Sequence, residues 1–175
     1  MALISNGTTV VSSGALSISA GDYVHIANFA GTDSYIQNCF SNTYESYLVV
    51  IKKMAGGNLN LRLLTSGTSE FSSNSYIWSN VGYGAGRKGF GTNMWQLVSE
   101  ANAELGSYQI NITYPYQSQS KTMHAFGYHS QNTSDNRYAI HGGGFCNTTT
   151  SMSGLRIWLN GGGSYLAGSV WGLVS

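Results

Sequence analysis

The sequence predicts an all-β protein in which about ten short antiparallel strands form a sandwich or a barrel. The first observation is a period-two alternation of apolar and polar residues in several segments, which marks half-buried strands. The second is the set of Gly- and Asn-rich stretches between them, because these residues adopt the positive φ angles of tight turns. The third is composition: charged residues make up only 9% and aromatic residues 13%, which argues against a coiled coil and against a disordered chain.

The clearest strand spans residues 108–114, where apolar and polar side chains alternate without a fault. Pro115 ends it because proline has no N–H to donate to a neighbouring strand. Residues 59–63 and 155–159 alternate in the same way. Residues 47–51 are apolar on both faces, which is typical of a central strand. Further candidate strands are residues 8–12, 15–19, 22–28, 74–79, 94–98, 121–128, 137–141 and 169–174.

The last of these candidates, residues 169–174, is apolar on both faces. We therefore expect it to lie centrally in a sheet or against another subunit. Turns are predicted at residues 55–58, 130–136 and 160–164. Residues 93–104 are the one helix candidate, but they lack a clean apolar stripe, so a strand followed by a loop is predicted there.

Residues 84–89 spell the glycine pattern G-x-G-x-x-G. A dinucleotide site requires this pattern between a strand and a helix, with an acidic residue about 20 positions later. No convincing helix begins here, so the segment is predicted to be a flexible glycine loop. Arg87 and Lys88 at its tip are candidate contacts for an acidic partner, and solvated loop charge is the alternative.

The length of 175 residues, 18.7 kDa, predicts a single domain over residues 1–175, with residues 1–20 as a candidate N-terminal arm. Cys39 and Cys146 show no metal-binding spacing. We expect two free thiols in the core, and a disulfide bridge between them is the alternative. The residues predicted to be buried are Val49, Ile51, Leu61, Ile110, Ile112, Ile157 and Val170.

Charge and hydropathy exclude several partners. A net charge of +1 provides no basic field for the phosphates of a nucleic acid. No apolar run approaches the roughly 18 residues that a membrane-spanning helix needs. The first residues have neither the basic region nor the apolar core of a secretory signal, and we expect none.

The four histidines and seven carboxylates show no spacing typical of catalysis or of metal binding. His124 and His129 are five residues apart in a predicted strand, so their side chains point to opposite faces. The carboxylates are dispersed and form no evident glycosidase pair. We therefore predict that the protein is not an enzyme, with no catalytic residues, no bound metal and no cofactor.

Aromatic residues beside Asn and Gly are candidates for contact with a glycan or with another protein subunit. A surface with little charge suits neutral ligands, since it has no field for charged ones. The alternative is that aromatic residues on strands pack in the core. The candidates are Tyr76, Trp78, Tyr83, Trp95 and Tyr116.

Several segments resemble, in order along the chain, a family of small virion proteins of tailed bacteriophages, especially marine and cyanobacterial ones. Residues 1–10, MALISNGTTV, look like the family's start, and residues 44–50, YESYLVV, resemble its first long core strand. Residues 143–150 and 155–160 resemble its penultimate hairpin. Residues 166–173, LAGSVWGL, resemble its terminal strand, with Val-Trp where the family usually has an aliphatic residue and Tyr.

This resemblance implies a jelly-roll-like β-sandwich located in the virion as a capsid decoration (cement), fibre or tail component. It carries no catalytic residues to transfer. The expected partners are other copies of the chain, most simply in a homotrimer, and virion proteins such as the major capsid protein or tail proteins. The alternative function is a glycan- or receptor-binding module, for example one in a phage tail that contacts a host surface glycan. From the resemblance and the strand pattern together, the predicted fold is an antiparallel two-sheet sandwich.

Overall fold

The computed structural model describes residues 3–5, 8–12, 15–16, 21–82, 85–97, 103–131 and 137–174. Those residues form strands and turns and contain no helix, so a helix able to span a membrane is also not found among them. The strands are β1 (Leu3–Ser5), β2 (Thr8–Ser12), β3 (Ala15–Leu16), β4 (Tyr23–Ala30), β5 (Asp33–Ile36), β6 (Ser46–Ala55), β7 (Asn58–Ser66), β8 (Ser69–Glu70), β9 (Tyr76–Gly82), β10 (Ala85–Thr92), β11 (Trp95–Gln96), β12 (Ala103–Thr113), β13 (Lys121–Gln131), β14 (Arg137–Cys146), β15 (Gly154–Asn160) and β16 (Tyr165–Leu173).

Two antiparallel sheets form the body of the fold, which confirms the predicted two-sheet sandwich. The large sheet has eight strands in the order β10-β9-β14-β13-β12-β6-β16-β4. The small sheet has five strands in the order β11-β7-β15-β5, and β8 pairs with β7. Strands β1, β2 and β3 pair with one another in a separate three-stranded sheet.

The core lies between the inward faces of these two sheets. Because side chains alternate along a strand, the odd-numbered residues from Tyr47 to Ile51 point inward from the large sheet. They meet the buried leucines of β7, such as Leu61, which point inward from the small sheet. All seven residues that the sequence predicts to be buried are fully buried. Cys39 and Cys146 are both buried and free, as expected.

The terminal strand β16 lies inside the large sheet, between β6 and β4. This confirms the central position predicted from its apolar residues. Close packing requires a glycine at position 172 of this strand, because a Cβ there would lie 2.6 Å from the ring of Tyr44. The aromatic ring occupies the space that any larger residue would need.

The prediction of a flexible glycine loop over residues 84–89 is wrong for its described part. Residues 85–92 form β10, which pairs with β9 at the edge of the large sheet. Backbone pairing with β9 outweighs the low strand propensity of glycine. Gly89 is needed there because a Cβ would collide with the indole of Trp78. Arg87 and Lys88 therefore lie on an edge strand rather than at a loop tip, where charge discourages edge-to-edge pairing.

Candidate binding surface

Three of the predicted contact aromatics are core residues, which corrects that prediction. Tyr76 and Trp95 are fully buried, and Trp78 is 8% exposed. The phenol of Tyr76 packs edge-on against Trp95, with ring centroids 5.3 Å apart, and its hydroxyl donates to the carbonyl of Phe71. The alternation at the start of β9 explains the error, since Tyr76 and Trp78 face the small sheet whereas Ile77 and Ser79 face outward.

The other predicted contacts are dispersed. Tyr116 lies in the turn after β12 and is 40% exposed. Lys88 is exposed on β10, with its ammonium 5.7 Å from the ring centroid of Phe90. Arg87 lies beside it on the same strand. Tyr83 falls outside the described residues. The structure therefore does not bring the predicted set together into one site.

A different set of aromatics forms a surface on the outward side of the large sheet, here termed the broad face. Strand register aligns its side chains in rows, so that Gln109, Phe126 and His141 are directly opposite one another on β12, β13 and β14. Phe126 and Tyr128 are each 58% exposed. The broad face comprises Leu48, Val50, Lys52, Gln109, Asn111, Thr122, His124, Phe126, Tyr128, His141 and Phe145.

The broad face carries little charge. Residues 46–55, 107–113 and 121–128, which are parts of its central strands β6, β12 and β13, contain lysines but no Asp or Glu. A shallow depression of about 260 Å³ opens beside Phe126 and Tyr128 and is also lined by Gln109 and Lys52. Exposed rings beside an amide and a single ammonium can bind an apolar or neutral polar partner.

Two histidines of the broad face are in direct contact. The Nε2 atoms of His124 and His141 are 2.7 Å apart, and their ring planes are inclined at 81°. Both side chains are exposed. Sequence spacing could not identify this pair, because the two residues are brought together by the pairing of β13 with β14.

The outward side of the small sheet is organised differently, by an ion-pair cluster of Asp33, Arg62, Glu70 and Arg156. Arg156 binds Asp33 through two hydrogen bonds of 2.9 and 2.6 Å and reaches Glu70 at 2.5 Å. Glu70 also pairs with Arg62. The hydrogen bond from Arg156 to Asp33 raises the pKa of the Arg156 guanidinium, whereas burial lowers that of Arg62.

Aromatic rings flank this ion-pair cluster. The guanidinium carbon of Arg156 lies 4.5 Å from the ring centroid of Trp158 and 4.9 Å from that of Tyr35. The hydroxyl of Tyr35 donates to Glu70 at 2.7 Å. The guanidinium groups and carboxylates therefore bind one another, which leaves them poorly placed to bind a ligand or to transfer protons. Sequence reasoning missed the cluster because its members are far apart along the chain.

A buried lysine fixes the turn between β12 and β13. Lys121 has no exposed surface, and its ammonium donates to the carbonyls of Gln117 and Gln119 and lies 3.5 Å from that of Thr148. Burial lowers the pKa of this ammonium, and the nearby thiol of Cys146 opposes that shift. The inward position of Lys121 could have been recognised from sequence, because side chains alternate along a strand and Lys121 is two residues from the inward-facing Met123 and four from Ala125.

Comparisons of the chain with protein families, with curated proteins and with solved structures find no match. The geometry therefore carries the functional argument. No group of three or more His, Cys, Asp or Glu side chains that could hold a metal ion is found among the described residues. The broad face is the described surface best suited to binding.

Proposed function

We propose that this protein is a non-enzymatic structural component of a bacteriophage virion, of the capsid-decoration (cement) or fibre type. In this proposal it assembles as a homo-oligomer, most simply a trimer, and attaches to the major capsid protein or to tail proteins. The observation that carries the proposal is the broad face, with Phe126 and Tyr128 each 58% exposed on a surface almost without charge. Large exposed aromatic side chains grouped on one surface are typical of interaction sites.

The composition of the broad face supports assembly through aromatic contacts. Phe and Tyr are enriched in the cores of protein interfaces, where charged residues are depleted. The resemblance of residues 1–10 and 166–173 to phage virion proteins supports the location in a particle. Charge at the edge strand β10 argues against assembly through that edge, so the proposal depends on the broad face.

Light scattering coupled to size-exclusion chromatography tests the assembly. We expect a mass three times that of the 18.7 kDa chain, unchanged between low and high salt, because screening weakens contacts between charges and not between apolar groups. The double variant Phe126→Ser/Tyr128→Ser should elute as a folded monomer.

Tyr116→Ser provides the matched control, because it removes an exposed tyrosine that lies outside the broad face. It should leave the mass unchanged. A monodisperse monomer for the unaltered chain would contradict the homo-oligomer. Mass spectrometry of purified particles, combined with a density map, would then establish whether the chain occupies a virion position at all.

The depression beside Phe126 and Tyr128 favours a second candidate function, glycan or receptor binding. Exposed rings next to Gln109 and Lys52 offer both a stacking surface and hydrogen-bonding groups. A glycan array would test this function, with Phe126→Ala as the variant that should lose binding. Retained binding in that variant would exclude the depression as the glycan site.

A further inference from the structure

We propose that His124 and His141 form a two-histidine site for a late first-row divalent ion, of the Zn²⁺, Ni²⁺ or Cu²⁺ class. The proposal starts from distance: the two Nε2 atoms are 2.7 Å apart. Zn–N bonds of about 2.0–2.1 Å at a tetrahedral angle place two ligating nitrogens about 3.3 Å apart. The rings therefore need to separate by only about 0.6 Å to chelate one ion.

Strand register holds the pair in place. His124 lies opposite Gly143, and His141 lies opposite Phe126, so the histidines are diagonal neighbours on β13 and β14. Because Gly143 has no side chain, the space opposite His124 is open, and the imidazole of His124 can extend toward His141. A ligand pair fixed by two hydrogen-bonded strands in the interior of the large sheet loses little freedom when it binds an ion.

The chemistry of the two rings suits metal rather than an anion. A neutral imidazole carries a proton on one nitrogen and a lone pair on the other. In the contact pair, one Nε2–H donates to the other Nε2 lone pair. When the ion binds, that donor ring gives its Nε2 proton to water and takes a proton from water at Nδ1, so it changes tautomer and stays neutral. Both lone pairs then bind the ion, and no net proton is released.

The site supplies two ligands and leaves the remaining coordination positions to water or to a donor from another molecule. Both side chains are exposed in the single chain, so those positions face solvent there and would face the partner in an assembly through the broad face. Imidazole ligands select Zn²⁺, Ni²⁺ and Cu²⁺ over Mg²⁺ and Ca²⁺, which require oxygen ligands. We therefore expect the affinity order Cu²⁺ above Zn²⁺, with no measurable binding of Mg²⁺ at the pair.

Titration of the full chain with Zn²⁺, followed by NMR of the imidazole nitrogens, tests the proposal. The ring signals of His124 and His141 should shift together along one binding curve, with one ion bound per chain at the pair. The variants His124→Gln and His141→Gln should each weaken the affinity at least about tenfold. Because the measurement on the unaltered chain stands alone, it decides the question even if a variant folds poorly.

His25→Gln provides the matched control. His25 is also an exposed histidine of the large sheet, and its Nε2 contacts Asn28 at 3.1 Å rather than another histidine. Its replacement should leave Zn²⁺ affinity unchanged. The proposal is overturned if neither ring responds at millimolar Zn²⁺, or if His124→Gln binds as tightly as the unaltered chain. The first outcome would identify the pair as a hydrogen bond only.

This proposal does not depend on the virion function. Light scattering in the presence and absence of Zn²⁺ separates the two, because a metal site can exist on a monomer and an aromatic interface can exist without metal. A mass that rises only with Zn²⁺, and only when both histidines are present, would show that the ion bridges two copies through its open positions.

Discussion

The outward sides of the two sheets differ in their side chains: the small sheet has an ion-pair cluster, and the large sheet has exposed aromatic rings. On the small sheet, Arg62 and Arg156 lie directly opposite one another on β7 and β15. Like charges in such a pair are destabilising unless they are compensated. Glu70 contacts both guanidinium groups, and Asp33 binds Arg156 from the neighbouring strand. The resulting cluster satisfies its own charges.

The broad face of the large sheet has no such closed network. Phe126 and Tyr128 project from β13 with more than half of their surface exposed. The contrast indicates that one face contributes to the stability of the chain and the other is available for a partner. Substitutions in the core, in the ion-pair cluster, on the broad face and at the two thiols can test that division.

The largest effect is expected in the core that both sheets share. Ile112 is fully buried on the inward side of β12. Its replacement by Ala should lower the free energy of unfolding by about 2–5 kcal/mol, because the cavity left behind collapses only in part. Denaturant unfolding measures this loss. Asn111→Ala on the outward side of the same strand is the control, and a similar loss in both variants would indicate a wrong register.

An intermediate effect is expected at the ion-pair cluster. Arg156→Ala removes the guanidinium that binds Asp33 and one of the two that bind Glu70, and the Arg156 side chain is 19% exposed in the folded protein. We expect the free energy of unfolding to fall by about 1–3 kcal/mol, since hydrogen bonds to charged groups are lost while water compensates in part. Oligomer mass should stay unchanged. A change in mass would indicate that the small sheet takes part in the proposed assembly.

A small effect on stability is expected on the broad face. The variant Phe126→Ser/Tyr128→Ser should change the free energy of unfolding of the monomer by less than about 0.5 kcal/mol, because exposed side chains contribute little to folding. Unfolding must be measured at low protein concentration, where association does not contribute. A loss as large as that of Arg156→Ala would contradict the division between the two faces.

Ionisation of the two thiols should not change the free energy of unfolding at neutral pH, but it should lower that free energy in alkali. Burial raises the pKa of Cys39 and of Cys146 to about 12. The unfolded chain releases these protons at lower pH than the folded chain, so stability should fall as pH rises from about 9 toward 12. Unfolding curves of Cys39→Ala and Cys146→Ala across that range should each show a shallower decline.

The thiols also report on the sheets separately. The Cys39 thiol lies near the backbone of Leu155 on β15, and Cys146 ends β14 of the large sheet. A thiol-specific reagent at neutral pH should react slowly with both. Faster reaction at Cys39 alone would indicate that the small sheet opens independently of the large one.

Local sequence patterns were enough to predict the fold class and the core residues. The alternation at Ile110 and Ile112, or at Leu61, indicates which side of each strand is buried. A strand whose apolar residues recur with a period of two has a single apolar face, and that face packs in the core. The apolar residues of β16 likewise indicated a strand with neighbours on both sides. These are local patterns, and burial follows from them directly.

Which residues are exposed, and which of them come into contact, depends on how the strands are arranged in the two sheets. The sequence does not distinguish one aromatic residue on a strand from another, yet Tyr76 is buried and Phe126 is exposed. The burial of each ring depends on whether its side of the strand faces the second sheet. The His124–His141 contact and the pairing of Asp33 with Arg156 arise from strand register across long sequence separations. Spacing along the chain contains no information about such pairs until the order of the strands is known.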